Sequence, residues 1–388
     1  MIKLIKSTFY KEHDTKKKLC KFIMESPKLS NGDACIEFEK KFSKWQGRKH
    51  SVLFNSGSSA NMALIQALLN IGELKKGDSV GFSGITWPTN IMPLMQLGLK
   101  VYPVDVETKT LNVSSRLLKA AHQKRKMKCF FLTNLLGFCD DIDNIKRFCI
   151  ENNIIFLEDN CESLGSVYKK RKLGNFGLAS TFSFFVGHHM STIEGGMVCT
   201  DDGELDSMLR MVRSHGWDRN VDRRTQLKLR KQHKVDNFYG LFTFYDLAYN
   251  FRPTEIQGFL GITQLQFLAE TIRHREETFK KLSAIYKNPD FYPVEVSMTT
   301  VSNFGFPLVC KSRRLRDKYI DKCRKAGIEM RPMVGGLMTE QPFYKKYISE
   351  NVLLPNAKHI HNSSLYVGNN PDMTDYDIDF LIKTLSCD

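Results

Sequence analysis

The sequence lacks any run of about 18 uncharged apolar residues, the length that a membrane-spanning helix needs. Residues 1–6 (MIKLIK) also lack the long apolar core of a secretory signal. These absences argue against an integral membrane protein and predict a cytoplasmic one. With 388 residues, 42% of them hydrophobic, the chain can form a large domain and a second, smaller one.

Paired cysteine spacing is absent as well. The ten cysteines are scattered from Cys20 to Cys387, in a chain that is too long to need a disulfide framework. We expect most of them to be reduced and buried as small hydrophobic side chains. The neighbouring His188 and His189 have no third ligand at a metal-binding spacing, so no metal site is predicted.

Acidic residues are too few to balance the basic ones. Lysine and arginine number 57 against 42 aspartates and glutamates, a formal net charge of +15. This charge favours an anionic partner, either nucleic acid or a small anion such as a nucleotide diphosphate sugar. The most basic stretch, residues 223–234, has no aromatic residue on which a base could stack. We interpret it as a solvated face, with a substrate-facing role as the alternative, and predict no nucleic-acid partner.

Short β-branched and aromatic runs alternate with helical patterns, which predicts an α/β domain with a mostly parallel sheet. The predicted strands are residues 51–55, 79–82, 101–104, 129–132, 154–157, 180–184 and 197–200. A long helix is predicted from Glu255 through Arg273 and beyond, and we place the domain boundary between residues 265 and 266. The remainder is predicted to be a smaller α+β domain, with a strand at 301–310 and helices at 313–325 and 376–385.

Two segments suggest ligand binding on their own. Gly57 and Ser58 lie between a strand and the start of a helix, where backbone amides and hydroxyls can bind phosphate. Asp159 follows a strand, and ligands bind at the carboxyl ends of strands in parallel sheets. An ordinary helix cap and an ordinary strand-end acid are the respective alternatives.

The segment 183–196 (SFFVGHHMSTIEGG) resembles the S-F-x-x-x-K-x-x-x-x-x-E-G-G cofactor loop of the DegT/DnrJ/EryC1/StrS sugar aminotransferases. Other segments resemble family motifs in the same order: NSGSSANMAL (55–64), FSGITWPT (82–89), EDNCESLG (158–165), YNFR (249–252) and GIEMRP (327–332). The resemblance implies an aspartate-aminotransferase-like fold, PLP fold type I, with a large domain around a mixed, mostly parallel sheet and a smaller α+β C-terminal domain. It also implies pyridoxal 5'-phosphate as the cofactor.

The same resemblance assigns roles to individual residues. Gly57, Ser58 and Ser183 match the residues that bind the cofactor phosphate. Trp87 matches the aromatic residue that stacks on the pyridine ring, and Asp159 the acid that keeps the pyridine nitrogen protonated.

Two further matches carry implications beyond a single contact. Asn250 lies in the segment that reaches the phosphate of the neighbouring subunit, which implies a homodimer with a shared active site. Glu162 replaces the family's usual glutamine, and an acid there is similar to the dehydratase branch. A contact with the cofactor's ring oxygen is its expected role.

Where the family has its Schiff-base lysine, this sequence has His188. Histidine cannot form a stable imine, but its near-neutral pKa lets it accept and return protons. We therefore predict that the cofactor is bound noncovalently and that His188 is the catalytic acid and base. A polar side chain without a function is the alternative.

Three residues are candidates for contacts with the substrate. Arg331, in the GIEMRP segment, is a candidate partner for a carboxylate or for the substrate, with an ordinary surface arginine as the alternative. His215 and Arg219, in the segment SHGWDR (214–219), are candidates for the border of the sugar site.

Histidine in place of the lysine is similar to the family's 3-dehydratases, which remove the C3 hydroxyl of a nucleotide-linked 4-keto-6-deoxyhexose. One branch adds a [2Fe-2S] cluster on four cysteines, but no cysteine lies between Cys199 and Cys310, so no cluster is predicted. The other branch implies GDP-4-keto-6-deoxy-D-mannose as substrate, L-glutamate as the donor that forms pyridoxamine 5'-phosphate, and a role in colitose and O-antigen synthesis. A nucleotide-sugar 4-aminotransferase and a noncatalytic binding or regulatory protein are the alternatives.

Overall fold

The computed structural model describes residues 1–295 and 297–386. The described strands are β1 (His50–Phe54), β2 (Ser79–Ser83), β3 (Lys100–Val104), β4 (Cys129–Thr133), β5 (Ile155–Asp159), β6 (Val167–Tyr168), β7 (Arg171–Lys172), β8 (Ala179–Ser183), β9 (Gly196–Thr200), β10 (Phe291–Tyr292), β11 (Gly305–Cys310), β12 (Met330–Pro332) and β13 (Ser364–Gly368).

The described α-helices alternate with these strands in the first part of the chain. They are α1 (Glu12–Glu25), α2 (Asp33–Gln46), α3 (Gly57–Asn70), α4 (Met92–Gln96), α5 (Ser115–Lys124), α6 (Ile142–Glu151), α7 (Gly203–Arg213), α8 (Arg223–Gln232), α9 (Glu255–Leu265), α10 (Leu268–Leu282), α11 (Arg313–Lys325), α12 (Pro342–Tyr347), α13 (Pro355–Ser363) and α14 (Asp375–Leu385).

A seven-stranded sheet in the order β1-β9-β8-β5-β4-β2-β3 forms the centre of the large domain. Strands β3, β2, β4, β5 and β8 run parallel, whereas β9 is antiparallel to both β8 and β1. This confirms the predicted mixed, mostly parallel sheet. Because the parallel strands end at one edge, their last residues, Ser83, Thr133, Asp159 and Ser183, lie along the same side of the molecule.

A second, antiparallel sheet in the order β10-β11-β13-β12 forms the C-terminal part, with α11, α13 and α14 nearby. The predicted strand at 301–310 begins later than expected, at Gly305. Its first residues are held outside the sheet instead, because the backbone amide of Ser302 donates to Ser166 Oγ at 3.0 Å. The division of the chain between residues 265 and 266 stays a prediction.

The predicted uninterrupted helix from Glu255 through Arg273 is wrong, because α9 ends at Leu265 and α10 begins at Leu268. A turn separates them. The backbone amide of Phe267 donates to the carbonyl of Gln264, three residues back, at 3.0 Å. The side chain of Gln266 donates to the carbonyl of Thr263 at 2.7 Å, in place of the next helical hydrogen bond.

Two predictions from composition are confirmed. Seven of the nine described cysteines are buried and all nine are free, whereas Cys387 lies outside the described residues. The basic stretch forms α8, which buries none of its residues and is therefore a solvated helix. Within the described ranges, no helix is both long and apolar enough to cross a membrane.

Candidate active site

Asp159, the last residue of β5, is almost fully buried, with 4% of its surface exposed. Two side-chain amides donate to its Oδ2, that of Asn90 at 2.7 Å and that of Asn61 at 3.2 Å. The backbone amide of Cys161 donates to Oδ1 at 2.8 Å. These donors hold the carboxylate in one orientation, in which its negative charge can pair with a cationic group of a ligand.

The amino end of α3 packs against the end of β8. Ser56 caps this helix, its Oγ accepting from the backbone amide of Ser59 at 3.1 Å. Gly57 is buried so closely against Ser183 that a Cβ at residue 57 would lie 2.7 Å from the Cβ of the serine. Ser58 is exposed at the next position. The unpaired amides of a helix start, together with neighbouring hydroxyls, are the donors that bind phosphate.

The loop between β8 and β9 carries His188 and is fastened to the same helix start by Gln257. The side-chain amide of Gln257 donates to the carbonyl of Glu194 at 2.6 Å and to the carbonyl of Asn55 at 3.2 Å. Gln257 also completes the capping box of α9 with Thr254, so its side chain is fixed. The histidine loop therefore has a defined position relative to the turn at residues 55–58.

His188 is partly exposed, and its imidazole lies against the ring of Phe304 with the centroids 5.5 Å apart. Its Nδ1 is buried and has no hydrogen-bond partner within the protein. Burial lowers the pKa of His188 to about 4, although the nearby charge of Asp159 acts in the opposite direction. The imidazole is therefore neutral near pH 7 and can accept a proton.

Glu162 lies close to Asp159 and is 5% exposed. Its Oε2 accepts a hydrogen bond from the backbone amide of Leu136 at 2.9 Å. Burial raises the pKa of Glu162 to about 8, and the charge of Asp159 raises it further against the effect of that amide. Most of this carboxyl is protonated at pH 7, so it can donate a hydrogen bond to an oxygen of a ligand.

Trp87 follows β2 and exposes 52% of its surface. Its backbone is anchored on one side, because the hydroxyls of Thr86 and Thr133 form a 2.5 Å hydrogen bond. Three residues after Trp87, Asn90 binds the carboxylate of Asp159, so the turn that carries the indole borders this carboxylate. An exposed indole on a fixed turn can stack on a planar ring.

Three other predicted residues form a separate group around Trp217. The guanidinium of Arg219 lies 4.1 Å from the centre of the Trp217 ring, and the ring of His215 lies 4.9 Å from it. Asn250 is exposed, and its Oδ1 accepts from Arg252 at 2.9 Å. Among the described residues, none of these contacts reaches His188 or Asp159. In one chain the side chains of His215, Arg219 and Asn250 therefore make no contact with His188 or Asp159. The backbone beside Asn250 nevertheless reaches the phosphate turn, because the carbonyl of Phe251 accepts from the amide of Asn55 at 3.0 Å.

Arg331 lies in β12, is exposed, and forms an ion pair with Glu329 at 2.7 Å. Its register partner in β13 is Tyr366. Burial raises the pKa of Tyr366 to about 12, and the charge of Glu162 contributes in the same direction. No contact within the described residues joins Arg331 to His188, Asp159 or Glu162, so its role at the site stays a prediction.

The model of the DegT/DnrJ/EryC1/StrS aminotransferase family matches residues 11–386. The chain belongs to this family. The match confirms the family and the PLP fold type I that the motifs predicted.

Relatives of known activity in this family align along almost the whole chain. GDP-4-keto-6-deoxy-D-mannose 3-dehydratase of Escherichia coli O55:H7 is 34% identical over 378 residues, 96% of this chain and 97% of the relative. The enzyme of the same name from Yersinia pseudotuberculosis is 35% identical over 353 residues, 89% of each chain. A crystal structure of GDP-4-keto-6-deoxymannose-3-dehydratase with a trapped PLP-glutamate geminal diamine superimposes with a TM-score of 0.90 at 33% identity, covering 100% of both chains.

The residues present fit the cofactor of this family. The helix start at Gly57 and the hydroxyl of Ser183 are donors for a phosphate, and the fixed carboxylate of Asp159 suits a pyridinium nitrogen. The unpartnered Nδ1 of His188 leaves one polar atom without a protein partner at the same place. Within residues 1–295 and 297–386, no group of three or more His, Cys, Asp and Glu side chains could hold a metal ion.

Sequence reasoning missed several residues that shape this family site. Asn61 and Asn90 hold Asp159, and Gln257 fastens the histidine loop. Asn61 lies within a segment that already resembles the family's phosphate turn, and this was the signal that could have pointed to it. Phe304 and Arg275 come from distant parts of the chain, and no local pattern indicates that they lie beside His188.

Proposed function

We propose that this chain is a PLP-dependent 3-dehydratase that removes the C3 hydroxyl of GDP-4-keto-6-deoxy-D-mannose, with L-glutamate as the amino donor. The observation that carries the proposal is a histidine with an unpartnered Nδ1 at the lysine position of the family loop, in a loop that contains no lysine. The activity named for the Escherichia coli and Yersinia relatives supports the substrate, and the PLP-glutamate group in the similar structure supports cofactor and donor. The product would enter colitose and O-antigen synthesis.

The chain's own residues provide the cofactor site in this proposal. Gly57, Ser58 and Ser183 bind the phosphate, Asp159 pairs with the pyridine nitrogen, and Trp87 covers the ring. The protonated Glu162 donates to an oxygen of the ring. When bound, the cofactor supplies an electron sink for the charge that develops on the carbon beside it. Without a lysine in the loop, only noncovalent contacts hold the cofactor.

His188 is the acid and base of the proposed reaction. As a neutral imidazole it would take the proton from the α-carbon of glutamate and return it during amino transfer, which consumes one water and releases 2-oxoglutarate. In the dehydration half of the reaction His188 would again act first as a base. Its protonated imidazole would then give that proton to the C3 oxygen of the sugar, which departs as water, while the bound cofactor would supply the electron pair that expels it.

A homodimer in the cytoplasm belongs to the same proposal. In one chain Asn250 lies with Trp217 and Arg219, apart from His188. In the proposed dimer, each subunit places its Asn250 near the phosphate donors of the other subunit, and its His215 and Arg219 at the sugar. Exposed apolar side chains next to Asn250, among them Phe242 at 69% and Leu247 at 71% exposure, provide a surface for such a contact.

Product analysis tests the proposed function. Purified protein is incubated with PLP, L-glutamate and GDP-4-keto-6-deoxy-D-mannose, the sugar is identified by mass spectrometry, and ammonia is measured enzymatically. A 3-deoxy ketosugar and one equivalent of free ammonia are expected, since the nitrogen leaves on hydrolysis. An amino sugar without free ammonia would identify a 4-aminotransferase, and the absence of any turnover would contradict the proposed substrate.

A further inference from the structure

Arg275, in α10, is a buried cation that forms no ion pair with the described residues, although the charge of Asp372 acts on it across the neighbouring cavity. Its side chain is 4% exposed, and within the described part of the chain its guanidinium donates only to backbone carbonyls. Its Nε is buried with no hydrogen-bond partner. Burial lowers the pKa of Arg275 to about 10. A buried charge without a direct ion pair costs stability, so its position beside the site needs a physical reason.

The guanidinium of Arg275 joins three separate pieces of backbone. Nη2 donates to the carbonyl of His188 at 3.4 Å, and Nη1 donates to the carbonyl of Asn369 and, at 3.5 Å, to that of Asn303. The side chain of Asn369 donates back to the carbonyl of Arg275 at 2.9 Å and to Oδ1 of Asn303 at 2.7 Å. Arg275 therefore connects α10 and the histidine loop to the ends of β11 and β13.

The segment that Arg275 holds also contacts the imidazole. Phe304 follows Asn303, and its ring lies 5.5 Å from the ring of His188. The carbonyl of Ser302, one residue before Asn303, lies 3.0 Å from Nε2 of His189. Arg275 thus contacts both the backbone of residue 188 and the segment on which its ring lies, so the loss of its guanidinium would loosen the two together.

The charges around His188 come from several elements. Asp159 faces it from β5, Arg275 from α10 and His189 from the same loop, while Lys6 and Asp372 line the cavity on which His188 also borders. Burial is the largest cause of the lowered pKa of His188. The charge of Asp159 comes next and raises this pKa, and the charge of Arg275 lowers it by a smaller amount. Arg275 also lowers the pKa of His189. The arginine thus offsets part of the effect of the aspartate.

We infer that Arg275 is a positioning residue, whose guanidinium holds the backbone carbonyl of His188 and whose positive charge opposes protonation of the imidazole next to it. Arg275 contacts neither substrate nor cofactor in this role and acts through His188. The inference rests on the proposed function only where dehydration is the readout, since the imidazole can be titrated without substrate.

Two substitutions separate the positive charge of Arg275 from its paired N–H donors. A substitution of Arg273 in the same helix is the control. Arg275→Lys keeps the charge without the paired donors, Arg275→Gln keeps a donor without the charge, and Arg273→Gln removes an exposed charge from the same helix. The His188 imidazole is titrated by NMR in the cofactor-free protein, with its signal assigned from its loss in His188→Gln. The kcat and KM for dehydration are measured against pH.

In Arg275→Gln we expect the pKa of His188, measured by NMR, to rise. The pH at which kcat falls on the acid side of its profile should rise by the same amount. Arg275→Lys should leave the titration in place and lower kcat by roughly 10- to 100-fold, with KM little changed, because the base is misplaced. Arg273→Gln should behave as the wild type. An unmoved titration in Arg275→Gln, or a wild-type kcat in Arg275→Lys, would overturn the inference.

The two proposals fail in different ways. If Arg275→Gln does not fold, the kcat of Arg275→Lys still decides whether the arginine positions the base. If the wild-type protein does not dehydrate the sugar, the proposed function fails. The NMR titration of Arg275→Gln then still decides whether Arg275 sets the protonation of His188.

Discussion

Asn90 Nδ2 lies 2.7 Å from Oδ2 of Asp159 and donates a hydrogen bond to it. The carboxylate is buried, and hydrogen bonds to a charged group are worth about 1.5–3 kcal/mol. Because Trp87 precedes Asn90 by three residues, this bond also fixes the turn that carries the indole. The side-chain amide of Asn90 therefore links the carboxylate of Asp159 to the turn of Trp87, the two groups that would contact the pyridine ring.

Replacing Asn90 by alanine should weaken PLP binding by roughly 10- to 100-fold, since Asp159 loses a hydrogen bond and the turn of Trp87 loses its anchor. The dissociation constant is measured by titrating the cofactor-free protein with PLP and following its absorbance. Asn152→Ala removes an exposed asparagine remote from this contact and is the control. Equal PLP affinity in both variants would contradict a role of Asn90 in the site.

Lysine at position 188 should restore the covalent chemistry that histidine cannot perform. We expect His188→Lys to bind PLP through a bond that borohydride reduction makes permanent, detected as a mass increase on residue 188. Dehydration should fall at least about 100-fold or be replaced by another reaction, because a lysine near pH 7 is a different base.

His188→Gln is the matched control for that experiment. It should bind PLP without any borohydride-stable bond and lose dehydration, because glutamine neither forms an imine nor accepts a proton at this pH. Wild-type dehydration in either variant would show that His188 is not the acid and base.

Glu162 gives a prediction of pH-dependent stability. Its folded-state pKa is about 8, above the ordinary 4.5, so the folded protein binds the proton more tightly than the unfolded chain does. The contribution of this proton to the free energy of unfolding is complete below pH 4.5. It is lost as pH rises through 8, which lowers the free energy of unfolding by roughly 3–5 kcal/mol. Glu162→Gln, which is neutral at every pH, should remove this slope.

Urea unfolding of the cofactor-free protein at pH 6 and pH 8.5 measures the effect. Between pH 6 and pH 8.5, the free energy of unfolding of the wild type should fall by about 2–3 kcal/mol more than that of Glu162→Gln. Glu151→Gln, an exposed substitution, should retain the slope of the wild type. A parallel pH dependence in the wild type and in Glu162→Gln would show that the carboxyl is not protonated when buried.

Local sequence was sufficient to predict the large sheet and the residues along its edge. Each predicted strand up to residue 200 overlaps an observed one, because buried parallel strands are short apolar runs between polar turns. Asp159 and Ser183 come at the ends of such strands, and Gly57 at the helix start beside them. Their proximity follows from the parallel arrangement.

Contacts across the chain could not be predicted in the same way. Arg275 reaches His188 only because the chain turns between α9 and α10, where the pattern of apolar residues continues without interruption. Phe304 was expected within a strand, but hydrogen bonds to Ser302 keep this segment outside the sheet. His215 and Arg219 lie against Trp217 in one chain, because cation–π and ring contacts hold them there.

A buried ion pair beneath β1 gives a prediction for stability. Glu39 is 3% exposed, and its Oε1 accepts from Arg213 at 2.5 Å and from the backbone amide of Leu53 at 2.8 Å. Glu39→Ala leaves the arginine without its partner and should lower the free energy of unfolding by about 3–5 kcal/mol. Glu37→Ala, an exposed residue of the same helix, should change it by less than about 0.5 kcal/mol. Urea denaturation measures both, and equal losses would contradict the importance of this pair.

The exposed apolar side chains next to Asn250 give the last prediction. Phe238, Leu241 and Leu247 are 74%, 52% and 71% exposed, and exposed apolar side chains grouped within one segment are typical of a surface that another protein covers. Leu247→Glu adds a charge to this surface and should convert a wild-type dimer into a monomer, seen by light scattering after size exclusion. The monomer should also bind PLP more weakly, because Asn250 of the second subunit is lost.

Leu353→Glu is the control, since Leu353 is 85% exposed in another part of the chain. It should leave both the molecular mass and PLP affinity unchanged. A Leu247→Glu protein that stays dimeric would move the subunit contact to another surface. A monomer with full PLP affinity would instead show that the phosphate site is complete within one chain, and Asn250 would then have no part in it.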